Sequence, residues 1–580
     1  MMPDLLAPVT ARWDRLVAAA MPRRWYPALL TLLVAAGFLP LLLPGIPAGH
    51  DLYFHLTRLV GVAEGLRGGF FPVWINFNAL EGIGYGTGLF YSDLYLYPAA
   101  LLVAAGVPAI FAYKLLLIVW ALLTAYSMYF AALRIGKAPF GAFAAALLYV
   151  WSSYFATDVF NRAALGEVFA FLFLPWIMLG FHEVFYGDPR RFLPLALGFA
   201  GLFYAHTITF ILTGIIAAVW AALLLPRLLR EPERVLLIAA AAVLAAVLAA
   251  AGAVPMLEQL AHLKFNLTGQ TMQSPVAERM VPLTRLVLEL PYMKLEHWIP
   301  PGIGMIFVVV VCQRLRFRSA GTATDRFRDG ALLTGVFSLL AATSFLPWEG
   351  MFRALSPIQF PWRFYLPATA FLALGGGLAL AALTGGDSAK QRRWVYILLV
   401  GCGFAWSFNV AYVYAAKITE KALLRQFGVA ESAVQAASGL HYLPQGVKIA
   451  AVTARGHDAR FGGEAATARG RLSRPRYGEL LLEFSGAAAA TEVELPLTPY
   501  FGYRAERMAA DGGRGAKLPV RLDGNFIRVV LPTGTDSGKI RVFYANTPLQ
   551  NGSLLLSAAA LAGTIFFVVR RKKAGRTGKK

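Results

Sequence analysis

Apolar runs of about 20 residues recur along this chain, each long enough to cross a hydrocarbon core about 30 Å thick. A chain built this way folds in lipid, where every backbone N–H and C=O must be satisfied within a helix. Twelve runs are read as spans: Trp25–Pro44, Ile110–Leu133, Pro139–Phe155, Leu165–Tyr186, Phe192–Ala205, Thr207–Leu225, Val235–Pro255, Gly302–Cys312, Ala331–Leu346, Phe364–Leu383, Trp394–Tyr414 and Leu554–Val569. Only 15% of the 580 residues are charged, against about 25% in soluble domains. The expected fold is a polytopic α-helical membrane protein. Cys312 and Cys402 both fall in apolar runs, on different spans, which argues against a disulfide or a thiolate metal site.

Lys and Arg set the orientation. They cluster at Arg12–Arg24, Arg134–Lys137, Arg190–Arg191, Arg227–Arg234, Arg314–Arg328, Lys390–Arg393 and Arg570–Lys580. Every second connection is basic, as the positive-inside rule requires if both termini are cytoplasmic. The net charge of +22 therefore marks a membrane face and anionic lipid headgroups, and nucleic acid is not expected as a partner. Seven of the eight histidines then lie on the outer side, His182 being the exception.

Residues 1–24 read as a cytoplasmic N-terminus and 25–416 as a transmembrane domain with a long first outer loop over 45–109. In that loop "FHLTRLVGVAEGL" and "LYLYPAALLVAAGV" suit interfacial helices lying on the bilayer. Residues 417–551 read as an extracytoplasmic β-sandwich, because "GELLLEF", "TEVEL", "FIRVVL" and "KIRVFY" alternate between turn residues. "VRLDGNFIRVVL" carries an Asp-Gly hairpin signal. Residues 552–580 form the last span and a basic cytoplasmic tail.

Titratable groups on the outer side are the candidates for chemistry. "GHDLYFHL" crowds His50, Asp51 and His55 after an apolar run. Asp51 either caps the following helix or acts as a general base whose pKa is raised at the membrane surface. "TDVFNRAALGEVFAF" brings Asp158, Arg162 and Glu167 beside an apolar run, either as a structural ion pair or as part of a site. Gly82, Gly84, Gly86 and Gly88 alternate in a loop whose backbone can approach a phosphate, or which must simply turn tightly; Glu81 and Asp93 flank it. "IQFPWRFYLP" places Gln359 and Arg363 at the outer start of a span. There Arg363 either snorkels to headgroups or clamps a lipid phosphate.

The ordered set "HDLYFH", "GYGTGLFYSDLYLYP", "RAALGE", "YAHT", "QFPWRF" and "PYFGYRAERMAADG" resembles bacterial YfhO-like membrane proteins. It is also similar to those labelled "6-pyruvoyl-tetrahydropterin synthase-related". More widely, the chain resembles the GT-C glycosyltransferases. That resemblance implies about 12 transmembrane helices in a GT-C-like fold. It implies transfer of a hexosyl or pentosyl group, with inversion, from a polyprenyl-phosphate-linked donor to a cell-envelope glycan or lipid acceptor outside the cytoplasm of a bacterial inner membrane. Asp51 matches the first acidic position and Asp158 a second, so both are expected to be catalytic. His50, His55, Arg162, Glu167, Gln359 and Arg363 are expected to bind donor or substrate. Some members hold a divalent metal ion, and Glu81 and His206 match those ligands. The alternatives are a transporter or flippase of lipid-linked saccharides, or a noncatalytic envelope-assembly scaffold.

Overall fold

The computed structural model describes residues 24–266, 279–287, 292–294, 297–299, 301–348, 358, 360–419, 423–424, 440–445, 447, 452, 454–463, 468–509 and 513–577. The chain divides into two compact units. One comprises Met1–Leu52, Lys114–Ala245 and Met272–Arg425; the other comprises Tyr53–Tyr113, Ala246–Thr271 and Gln426–Lys580.

Seven helices among the described residues are long and apolar enough to cross a membrane: Ala109–Gly136, Pro139–Asn161, Leu165–Tyr186, Pro232–His262, Pro361–Thr384, Ser388–Ala416 and Pro548–Arg570. The other expected spans are shorter or less apolar, for local reasons. Trp25–Gly37 gives way to a 3₁₀ turn over Leu39–Leu42 that contains Pro40. An extended His206, with φ −158, separates the 13-residue helix Leu193–Ala205 from Thr207–Leu223. Met305–Cys312 has only 8 residues and starts at Gly304, with φ 98. Ala323–Ala341 opens on a reciprocal capping box between Thr322 and Asp325, so its first turns are charged.

In the first unit the helix Tyr365–Thr384 is buried along almost its whole length, as expected of a helix that is apolar on every side. It packs on Pro139–Val150. Gly377 and Gly141 face one another there, with no room for a Cβ at either. Small residues let the two backbones approach closely, the usual basis of helix association in lipid. The contact brings the start of one helix, at Arg363, toward the end of the other, near Asp158.

The second unit is built on two antiparallel sheets. One has five strands in the order 514–518, 503–508, 538–544, 479–485 and 469–473; the other has four, in the order 520–521, 528–530, 490–494 and 460–463. Glu479–Ser485 alternates buried and half-exposed residues along its length, the pattern of a sheet with one face on a core. The hairpin at Asp523-Gly524 forms, with Val520 opposite Val529 and Arg521 opposite Arg528. Its loop is longer than the two-residue turn an Asp-Gly pair favours, and Arg528 holds Asp523 across it at 2.8 Å.

The long first loop shares the core of these sheets. Trp74, Ile75, Phe77, Leu89 and Phe90 pack in one cluster with Leu480, Leu482, Val493, Tyr500 and Val542. The alternating glycines are explained by that packing. Thr498 donates its backbone N–H to the Ile83 carbonyl at 3.1 Å and its hydroxyl to the Gly84 carbonyl at 2.6 Å. Arg474 donates to the Gly82 carbonyl, and the Tyr500 ring fills the space a Cβ on Gly86 would need. The loop thus spends three carbonyls on protein. The two stretches expected to be helical in this loop form Leu52–Arg67 and Tyr97–Ala104. Leu52–Arg67 is buried on nearly every side, so it belongs to a packed core and presents no broad polar face.

Candidate functional site

Asp158, in the last turn of the Pro139–Asn161 span, and Arg162, just beyond it, carry the centre of the site. Ser152 caps a short helix by accepting the Phe155 N–H, and the chain then widens into a π-helical turn over Thr157–Asn161. Such turns leave backbone groups unpaired and recur at functional sites. Asp158 lies in this turn and Arg162 follows it. Arg162 donates from Nη1 to Asp158 Oδ1 at 2.7 Å and pairs through Nη2 with Glu167 Oε1 at 2.9 Å. Tyr154 closes the ring. Its hydroxyl donates to Glu167 Oε2 at 2.6 Å and accepts from Arg162 Nη1 at 3.2 Å.

Arg363 approaches from the Pro361–Phe364 turn. Its Nε stands 3.5 Å from Glu167 Oε1, and its Nη1 donates to the Ile358 carbonyl at 2.7 Å. Its guanidinium lies over the Phe360 ring, 5.0 Å from the centroid. Glu167 Oε1 is therefore shared by two guanidiniums. His206 is buried and bonded through Nδ1 to Thr209 Oγ1 at 2.7 Å, within the electrostatic reach of Glu167. Asp158 Oδ2 is buried without a hydrogen-bond partner among the described residues.

Asp51 is set beside this cluster by its backbone. Its N–H donates to the Arg162 carbonyl at 2.9 Å, an acceptor at the end of the π turn. Gly49 lies against Ala163 and the Arg162 backbone so closely that no side chain fits. Upstream, Ile46 and Pro47 pair with Leu424 and Leu423 as a short antiparallel ladder. The loop is thus held at three points, the last of them Asp51 itself. The Asp51 carboxylate makes no hydrogen bond or ion pair with any described residue, so it does not cap the helix that follows. It remains half-exposed. Burial pushes its pKa up, Arg162 and Arg363 pull it down, and Glu167 adds to the rise. The result is a carboxylate above its usual range that is open on one side, which is what a general base requires.

The remaining expected residues fall elsewhere or play other parts. His50 is exposed. His55 is buried in the second unit, where Arg58 Nη1 meets its Nδ1 at 3.1 Å and pairs with Asp93 at 2.7 Å. Arg58 also lies 4.1 Å over the Tyr91 ring. This is a closed ion pair: burial raises the Asp93 carboxyl and Arg58 opposes that rise. Gln359 lies outside the described residues. Glu81 is exposed in a tight turn at φ 56. Among the described residues no three His, Cys, Asp or Glu side chains come together as a ligand set, and Glu81 and His206 belong to different units. Tyr154 was not singled out in the sequence, although it stands four residues, one helical turn, before Asp158.

No family model matches the chain, and no curated protein does. Among solved structures, a cryo-EM structure of arabinofuranosyltransferase AftD from Mycobacteria aligns at a TM-score of 0.41 and 16% identity. The alignment covers 68% of this chain and 27% of that one, so this chain spans about a quarter of that protein's length.

Proposed function

We propose that this protein is an integral-membrane glycosyltransferase that takes a sugar from a polyprenyl-phosphate donor and passes it to an envelope acceptor, with Asp51 as general base. One observation carries the reading. A half-exposed carboxylate without a side-chain partner is held by its own backbone N–H on Arg162, at the edge of a buried network of two arginines and two further acids. The wider resemblance to GT-C enzymes adds support, since Asp51 matches their first acidic position and Asp158 a second.

In the reaction, the acceptor hydroxyl oxygen attacks the anomeric carbon as Asp51 removes its proton. The bond from that carbon to the phosphate oxygen breaks, and the lipid monophosphate leaves with the electron pair. Displacement from the opposite face inverts the anomeric centre. The leaving group is already an anion, so it needs charge stabilisation more than a proton. Fixed guanidiniums supply that best where water is excluded. Asp158 and Glu167 keep Arg162 and Arg363 in place, so that no reorganisation is needed as charge develops.

Purified protein incubated with a polyprenyl-phosphate sugar and a short glycan acceptor should yield lengthened glycan and free polyprenyl phosphate. A flippase would move the intact lipid-linked sugar across a proteoliposome bilayer and leave that bond whole. Translocation without bond cleavage would reject the transferase reading.

A further inference from the structure

We propose that one face of the five-stranded sheet, the face turned away from the core, docks a linear anionic polysaccharide with carboxylate or phosphate groups repeated along it. No residue of the transfer site enters the argument, so the two readings stand or fall separately.

The register decides which side chains share that face. Leu480, Leu482, Ala505, Ile540 and Val542 are buried in the core, and their neighbours alternate to the other side. There Arg469 stands opposite Ser485, and Glu483 lies between Arg471 and Lys539. Glu506 lies between Arg541 and Lys517, and Phe543 between Glu479 and Arg504. The face thus carries six cations against three acids. Two of the acids are spent on the middle strand: Glu483 holds Lys539 at 2.6 Å and Glu479 holds Arg541 at 2.9 Å. The third, Glu506, is buried. Arg469, Arg471, Arg504 and Lys517 are exposed, and none of the four makes an ion pair among the described residues.

The four-stranded sheet provides the contrast. Arg460, Arg521 and Arg528 share its outward side with Glu492, Glu494 and Asp523. Arg521 and Arg528 meet Glu492 at 3.3 and 2.8 Å, and Glu494 takes Arg455 at 2.9 Å. Positive charge in excess therefore belongs to one sheet face, and the other is balanced.

The spacing of the exposed cations sets the size of the occupant. Arg469 and Arg471 lie on one edge strand, Lys517 on the opposite edge and Arg504 on the strand beside it. Four strand spacings separate the two edges, about 19 Å. One carboxylate or phosphate reaches one side only; an occupant that meets both carries several. Three of the four cations are arginines, whose planar fork matches either group. A bilayer also presents many anions, but a surface that lies on one inserts apolar side chains among the headgroups. No large apolar side chain described in either sheet is exposed. The competing account is that charges near sheet edges only keep strands of two molecules from pairing, and it predicts no ligand.

The test uses full-length protein in phosphatidylcholine nanodiscs. It is titrated with oligogalacturonate, a glycerol-phosphate oligomer, neutral dextran of matched length, monomeric galacturonate and single-stranded DNA. At least one anionic oligomer should bind, with dextran and the monomer silent at the same concentration. Arg471→Gln with Arg504→Gln should weaken that binding roughly tenfold, the size of two lost charge-assisted contacts. The same positions changed to Lys should retain most of it. Arg460→Gln with Arg521→Gln removes equal charge from the other sheet and should leave affinity unchanged. The proposal is overturned by wild type that binds neither oligomer, by unchanged affinity in the folded 471/504 variant, or by equal loss in the 460/521 control. DNA bound as tightly as the oligomer, or displacement of the oligomer by phosphatidylglycerol vesicles, overturns it too, in favour of a generic anion surface or a membrane contact. Glycan lengthening from the lipid donor reads the transfer reaction independently of every one of these outcomes.

Discussion

At the scale of single residues, the proposed site leaves one acid open. Three carboxylates and two arginines meet, and two of the acids are spent on guanidiniums while Asp51 is not. A pH dependence follows. Asp51 must be ionised to take a proton, and burial holds its pKa above the ordinary 3.8. Activity should therefore fall with decreasing pH through a midpoint above that value. Arg363 pulls the Asp51 pKa down, so Arg363→Gln should move the acid limb further up, by a fraction of a unit to about one unit. A kcat/KM profile of both proteins checks this; an unmoved limb would show that the titrating group lies elsewhere. The sequence made Asp51, Asp158, Arg162, Glu167 and Arg363 legible because charged groups are rare beside apolar runs. It hid the division of labour among them. Asp158 and Arg162 stand four residues apart, the spacing at which helical side chains meet, and they pair at 2.7 Å; that spacing does not foretell that Glu167 joins them and Asp51 does not. Tyr154 was missed for the opposite reason: a tyrosine in an apolar run looks like packing until its hydroxyl is seen on Glu167.

At the scale of elements, the loop and the helix ends set the geometry. Gly49 is required because the Asp51 loop lies flat on Ala163 and the Arg162 backbone. Gly49→Ala should lift that loop and lengthen the bond from the Asp51 N–H to the Arg162 carbonyl. A shift of about 1 Å in a reacting group costs on the order of 10² in rate. The variant should lose that much kcat while its thermal unfolding stays close to wild type, since the helices are untouched. Full activity would mean that Asp51 does not depend on this anchor. The glycines at 82, 84, 86 and 88 illustrate a limit of pattern reading. Alternation suggested a phosphate approach or a tight turn, and the carbonyls turn out to receive Thr498 and Arg474, from connections between strands some 400 residues away in sequence. A long-range partner of that kind leaves no local trace.

At the scale of the molecule, helix content and the β region near the C-terminus were readable from periodicity, because lipid demands long apolar runs and half-buried strands demand alternation. Span ends were less so. Hydropathy does not register the extended backbone at His206 or the turn at Gly304, and these cut apolar stretches into short helices. Orientation belongs to this scale. If basic connections face the cytoplasm, the β region lies outside. A cysteine placed at Asp523, which is largely exposed, should react with a membrane-impermeant thiol label in intact cells, and one at Arg316 should not. The reverse pattern would put Asp51 on the cytoplasmic side and remove the need for a lipid-carried donor.

The central claim is that Asp51 takes the proton. Asp51→Asn keeps the shape and the backbone N–H that anchors on Arg162, and it cannot accept a proton at neutral pH. Single-turnover transfer from a polyprenyl-phosphate sugar, measured on purified and folded protein at saturating donor, tests it directly. The expected result is unchanged donor binding with transfer slowed on the order of 10²–10⁴. Transfer at the wild-type rate by folded Asp51→Asn would contradict it.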